Sequence, residues 1–105
     1  MKEKMRIGEP VFGSGAGWWY PEVGRVLDDI GLDFIFFDIQ HGAVGFETIQ
    51  RYIQAVDQTK TTVIGRCASS ATVDISKILD MGALGVIVPD VDTKEETMQI
   101  MNAAK

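Results

Sequence analysis

The run Asp33-Phe-Ile-Phe-Phe-Asp38-Ile-Gln-His41 constrains the fold more than any other stretch of the chain. Phe34, Ile35, Phe36 and Phe37 are apolar without interruption. A half-exposed strand alternates apolar and polar side chains. An unbroken apolar run suits a strand covered on both faces, as in a parallel sheet flanked by helices. The run ends in a carboxylate, Asp38, and the chain's one histidine, His41, follows three residues later. Polar groups just past the carboxyl end of a parallel strand stand where α/β folds bind ligands.

The pattern recurs. Asp29-Ile-Gly-Leu-Asp-Phe-Ile-Phe-Phe-Asp38 resembles Asp80-Met-Gly-Ala-Leu-Gly-Val-Ile-Val-Pro-Asp90. Each is a helix end, a glycine stop, an apolar strand and a carboxylate at its far end, the rhythm of stacked βα units. A short first strand is expected over residues 11–14, with Gly13, Gly15 and Gly17 loosening the loop after it. Pro21 suits the first turn of a helix that stops at Gly31. The second strand covers residues 32–38. Phe46, Ile49, Ile53 and Val56 recur at helical spacing and predict a helix over residues 46–57. Thr62, Val63 and Ile64 favour a third strand over 61–66. Thr72 can cap the next helix, with Ile75, Ile78 and Leu79 inward and Gly82 as its stop. A fourth strand over 84–88 closes at Pro89. Thr93-Lys-Glu-Glu96 has the capping-box pattern and opens a last helix carrying Met98, Met101 and Ala104.

The expected class is therefore α/β: parallel βα repeats forming one partial domain over residues 1–105. Four units are half of a (β/α)₈ TIM barrel, or alternatively a small open sheet. In a half barrel the first and fourth strands have free edges, which invite pairing with another chain. A homo-oligomer formed through those edges is the expected assembly.

Composition excludes other classes. A hydrophobic fraction of 46% can build a core. The net charge of −5, with no basic stripe, argues against nucleic acid as a partner. No apolar run approaches the roughly 20 residues that cross a bilayer, so no membrane partner is expected. Met1-Lys-Glu-Lys-Met-Arg lacks the apolar segment of a secretory signal. Cys67 is the one cysteine, so there is no disulfide framework and the cytoplasm is the default location. Cys67 reads as a small filler near a strand end, because no second histidine is available to activate it.

Several side chains could carry chemistry, each with a plainer alternative. The unperturbed pKa of a histidine lies near neutrality, so His41 could be a general base over a pocket, or a solvated loop histidine. Asp38 could orient a group, bind a metal, or cap the loop after it. Arg66 ends the third strand as Asp38 ends the second. It could meet a carboxylate or enolate with paired hydrogen bonds, or form a rim salt bridge with Asp38 or Asp90. The Gly-Ser-Gly-Ala-Gly stretch could offer backbone N–H groups to an anion, but it matches neither the dinucleotide fingerprint nor the P-loop. Trp18, Trp19 and Tyr20 could roof a pocket, cover an interface, or simply pack on the adjacent helix. The five methionines read as core and interface filler. Asp90, Asp92, Glu95 and Glu96 read as a solvated loop and helix start. No cluster has zinc-type ligand spacing.

Phe-Phe-Asp38-Ile-Gln-His41-Gly, Gly65-Arg66, Leu79-Asp80-Met-Gly82-Ala83 and Val86-Ile-Val-Pro89 together resemble the HpcH/HpaI aldolase family in order and spacing. The resemblance runs from about Gly13 to Lys105. It implies a (β/α)₈-barrel lyase that uses a divalent metal, Mg²⁺ or Mn²⁺. Such an enzyme makes or breaks a carbon–carbon bond between the enolate of a 2-keto acid, pyruvate, and an aldehyde. It places the catalytic base on His41, the arginine that contacts the keto acid on Arg66, and the aspartate paired with the histidine on Asp80. Asp80 falls near a helix end, where it either serves the histidine of a neighbouring subunit or is a helix-end aspartate facing solvent. Gln40 departs from the acidic residue that many members carry before the histidine. The family's metal-binding glutamate and aspartate belong to later strands, so no residue of this chain is expected to be a metal ligand. The chain alone is then expected to be weak or inactive. Two other readings compete: a non-catalytic half-barrel module that self-associates or docks with another half, and a small phosphate-binding α/β domain, disfavoured by the missing phosphate motif.

Overall fold

A computed structural model describes residues 1–16, 20–40, 45–58 and 60–105. Nine elements follow one another: α1 (Lys2–Arg6), β1 (Gly13–Ala16), α2 (Pro21–Ile30), β2 (Phe34–Asp38), α3 (Phe46–Ala55), β3 (Thr62–Arg66), α4 (Thr72–Asp80), β4 (Gly85–Ile87) and α5 (Lys94–Ala103). The strands form one parallel sheet in the order β1-β2-β3-β4. Sequential parallel neighbours linked by helices are the arrangement of half a (β/α)₈ barrel, as the repeat predicts.

The two faces of the sheet differ. Ile35 and Phe37 of β2, Val63 of β3 and Cys67 just beyond it turn towards the helices. They are buried with Ile49, Tyr52, Ile53 and Val56 of the α3 region and Ile75 and Ile78 of α4. This is the core. Gly65 stands on the same face, and a methyl group there would come within 2.6 Å of both Ile78 and Phe37. Glycine at 65 thus lets α4 settle against β3. Gly24 does the same for α2, which rests on Tyr52 and Val56. The opposite face carries Gly13, Gly15, Phe34, Phe36, Asp38, Thr62, Ile64, Arg66, Gly85 and Ile87, in rows set by the register. It is the side that a closed barrel would enclose, the lumen face.

Three expectations are corrected. The first strand is not residues 11–14, and Gly13 to Ala16 are not a loop: they are β1 itself, paired with β2. Its glycines answer to Phe34 and Phe36 across the ladder. A Cβ on Gly13 would run into the Phe34 ring, and one on Gly15 would stand 3.0 Å from the Phe36 ring. Thr72 does not cap α4. Ala71 occupies that position without a side-chain cap, and Ser69 instead accepts from the Ala71 N–H (3.1 Å) and donates to Asp74 (2.6 Å). Phe46, Met98 and Met101 are exposed, so they do not belong to the core.

Other local rules hold. Gly31 takes a left-handed conformation (φ 86°) that stops α2 without Cβ strain. Thr93 and Glu96 form the reciprocal capping box at α5. The short helix α1 has no buried residue, yet Lys4 reaches Asp33 at 2.7 Å. That pair ties α1 to the amino end of β2.

Candidate active site at the strand ends

Asp38 and Arg66 are the last residues of β2 and β3 and face each other in the register. Both point to the lumen face at the carboxyl end of the sheet. The backbone there is firmly tied. The Ile39 N–H donates to the Arg66 carbonyl at 3.1 Å, and the Cys67 N–H to the Ile87 carbonyl at 2.9 Å. These bonds carry the ladder one residue beyond each strand.

The side chains form a two-pronged ion pair. Arg66 Nε donates to Asp38 Oδ1 at 3.0 Å, and Nη2 donates to Oδ2. The Gln40 N–H also donates to Asp38 Oδ1, at 2.9 Å. Asp38 is 23% exposed and Arg66 31%, so solvent reaches both. Its hydrogen bonds to Asp38 raise the Arg66 guanidinium further above its already high range. It is a fixed positive charge at any working pH. Of the two readings of Arg66, the rim salt bridge with Asp38 therefore exists, and it leaves part of the guanidinium fork without a partner among the described residues.

The mouth extends to β4. Gln40 Nε2 donates to Asp90 Oδ2 at 3.3 Å. Asp90 has a φ of 55°, the one positive value among described non-glycine residues. Aspartate tolerates this left-handed region better than most side chains. Sequence reasoning treated Asp90 as solvated loop and missed this contact. The signal was present in the repeat, which puts Asp38 and Asp90 at corresponding positions.

Asp80 is elsewhere. It ends α4, roughly 12 Å along the helix from Thr72. With Phe46, Gln50, Lys77 and Met81 it lines an open groove of about 380 Å³ on the outer, helix-covered side. The Lys77 ammonium stands 5.0 Å from the centre of the Phe46 ring there, within cation–π range. The structure thus joins Arg66 to Asp38 and separates both from Asp80. His41, Trp18 and Trp19 lie outside the described residues.

Cys67 is fully buried, and burial, more than the nearby Asp74 charge, pushes its thiol up. That suits a filler and disfavours a thiolate nucleophile. Among the described residues no three His, Cys, Asp or Glu side chains gather as a metal set. Both oxygens of Asp38 are already engaged by Arg66. The described residues therefore do not fit a metal by themselves.

The fold and the strand-end ion pair define a class: a parallel βα half barrel with an arginine at its carboxyl-end mouth. Residues 21–105 match the family HpcH/HpaI aldolase/citrate lyase, and the chain belongs to that family. The resemblance carried by the Asp38, Arg66, Asp80 and Pro89 motifs is borne out. The chain is 29% identical to the hydroxypyruvate/pyruvate aldolase of Delftia acidovorans, over 99% of its own length and 39% of the relative's. It superposes on the HpcH/HpaI aldolase from Desulfitobacterium hafniense with a TM-score of 0.89 and 25% identity, covering 100% of this chain and 41% of that one. On the citrate synthase SbnG the TM-score is 0.85 at 33% identity, covering 95% and 41%. The chain thus spans about two-fifths of the length of the relatives it matches.

Proposed function

We propose that this chain carries part of the active site of a carbon–carbon lyase, a class II aldolase acting on 2-keto acids. The reaction releases or uses the enolate of pyruvate and an aldehyde. The observation that carries the proposal is the Arg66 guanidinium, held by Asp38 on the lumen face at the mouth of an HpcH/HpaI sheet. Cleavage of the carbon–carbon bond leaves negative charge on the enolate oxygen. A preorganised cation beside that oxygen stabilises the transition state more than the ground state. His41 is the base, moving the proton of the hydroxyl that becomes the aldehyde, by way of water. Asp80 acts on the His41 of a neighbouring copy. In support of this, Asp80 is exposed in a groove turned away from its own lumen. The protein is then a homo-oligomer, and the cytoplasm is its place of work. Among the described residues no helix is long and apolar enough to cross a membrane.

The family reading includes a divalent cation, Mg²⁺ or Mn²⁺, with ligands from outside this chain. The steps assigned to Arg66, His41 and Asp80 do not pass through it. The test is cleavage of a 4-hydroxy-2-oxo acid by the purified protein mixed with a polypeptide that supplies the metal-binding βα units, followed by pyruvate release. Activity should vanish with EDTA, return with Mg²⁺ or Mn²⁺, and be absent in His41→Ala. Turnover that ignores both the chelator and the histidine would refute the assignment.

A second reading has its own observation. Among the described residues, β1 and β4 each pair on one side only, and Ile87 on the lumen face is 40% exposed. A non-catalytic module that self-associates through these edges would show a defined dimer by light scattering and no response to Mg²⁺ or Mn²⁺.

A further inference from the structure

We propose that Asp38 is the positioning residue for Arg66, and that it dictates which edge of the guanidinium meets the keto acid. The inference rests on the aldolase reading and deepens it.

A guanidinium presents five N–H donors in a rigid plane. Two of its edges can each grip a carboxylate with a pair of parallel bonds: Nε with one Nη, or the two Nη groups together. Asp38 takes the first edge, through Nε to Oδ1 and Nη2 to Oδ2. The second edge has no partner among the described residues. It is coplanar with the first, so fixing one fixes the direction of the other. Asp38 is itself held by the Gln40 N–H at 2.9 Å. The strand that carries Asp38 is bonded to the Arg66 carbonyl through Ile39. Carboxylate and arginine thus share one rigid frame. The open edge suits a planar pair of oxygens, which a 2-keto acid and its enolate both offer.

The arrangement has a definite energetic sign. A carboxylate beside Arg66 cancels part of its pull on an incoming anion. Asp38 therefore does not strengthen substrate binding; it gives the guanidinium a direction. Without it, a long side chain on an open face samples several rotamers. Removing Asp38 should leave keto-acid binding intact or tighter while the aligned transition state is lost. A carboxylate that merely supported the fold would lower the active fraction and leave KM unmoved. It would also leave the rate per folded molecule unchanged.

The experiment uses Asp38→Asn, which keeps the shape and removes the charge, together with Asp38→Glu. Steady-state cleavage is measured in the mixture with the polypeptide that supplies the metal-binding units, per folded molecule, with the folded fraction taken from circular dichroism. The expected result is a fall in kcat of about a hundredfold, as small misplacements at a reacting centre produce. KM should stay within about threefold of wild type or fall, and Asp38→Glu should recover part of kcat. A second measurement needs no variant at position 38. In ¹⁵N spectra of the wild type in the same mixture with Mg²⁺, oxalate, a planar dicarboxylate, should shift the Arg66 Nη signals and leave the Nε–H signal in place. Arg66→Lys assigns those signals. An active wild type with an Asp38→Asn variant of unchanged kcat per folded molecule overturns the inference and leaves the aldolase reading standing. So does oxalate that displaces the Nε–H signal, even if Asp38→Asn fails to fold. A wild type that neither cleaves hydroxy-keto acids nor responds to oxalate at Arg66 overturns both.

Discussion

Asp33 and Asp38 flank one strand, β2, and each meets a cation, yet the two ends of the sheet are built differently. At the amino end, Asp33 is nearly buried. Its carboxylate accepts from Lys4 at 2.7 Å and from the Phe12 N–H at 3.0 Å. The Asp33 and Phe34 N–H groups donate back to the Phe12 carbonyl. Both bonds to the Asp33 carboxylate run to the segment that leads into β1, so the side-chain cluster closes on itself. At the carboxyl end, Asp38 grips a guanidinium that has further donors without a partner among the described residues. The same chemical pairing is a brace below and a holder above. Barrels of this type place stability at the bottom and chemistry at the top, and here a single strand shows both.

Four substitutions test this contrast. Arg66→Lys should have the largest effect. A lysine keeps charge but cannot span two oxygens. Loss of one preorganised donor costs about 10² to 10³ in kcat, while the melting temperature should hardly move. A variant with near-normal turnover would show that the upper pair is as closed as the lower. Gly65→Ala comes next, on the same strand but facing the helices. The added methyl meets Ile78 and Phe37 at 2.6 Å, and overpacking of this kind costs about 1–3 kcal/mol. Chemical denaturation should show the loss, with activity retained in the folded fraction. Thr93→Ala sharpens the contrast from above. Thr93 lies past the end of β4, yet its role is the α5 capping box. Its loss should cost about 1 kcal/mol of stability and leave kcat unchanged. Asp33→Asn should have the smallest effect of the four, a loss of stability that is present at neutral pH and fades in acid. Lys4, and then the Phe12 N–H, hold the Asp33 carboxyl below the usual carboxylate range. A lowered folded-state pKa adds stability above the unfolded value of about 4, and that stability is lost as pH falls through the lower folded value. The variant should therefore unfold with a shallower acid limb. An unchanged slope would mean that Asp33 is not the group that titrates there.

Much of this was legible in the residues. The apolar run 34–37, the stop at Gly31 and the Thr93–Glu96 box are local rules, and local rules are what a sequence states directly. Asp38 and Arg66 could be expected at one mouth because each ends a strand of a parallel repeat. Their mutual grip was one of two alternatives, and only the register decides between them. What could not be read depends on partners far along the chain. Helix α1 is five residues with no buried face, so nothing in its own pattern announces it; Lys4 finds Asp33 only once β2 is placed. The glycines of β1 look like loop residues until the phenylalanines of the next strand are laid across them. Asp90 looked like ordinary helix-start acid because its link to Gln40 crosses 50 positions.

Those β1 glycines have a consequence for how such a chain can change over time. Positions 13 and 34 share one volume: the side chain absent from the first is supplied by the ring of the second. Neither can be enlarged independently, so the pair should drift together across descendants. A bulky residue at 13 should survive only where 34 has shrunk, and a double substitution such as Gly13→Ala with Phe34→Leu should be milder than Gly13→Ala alone.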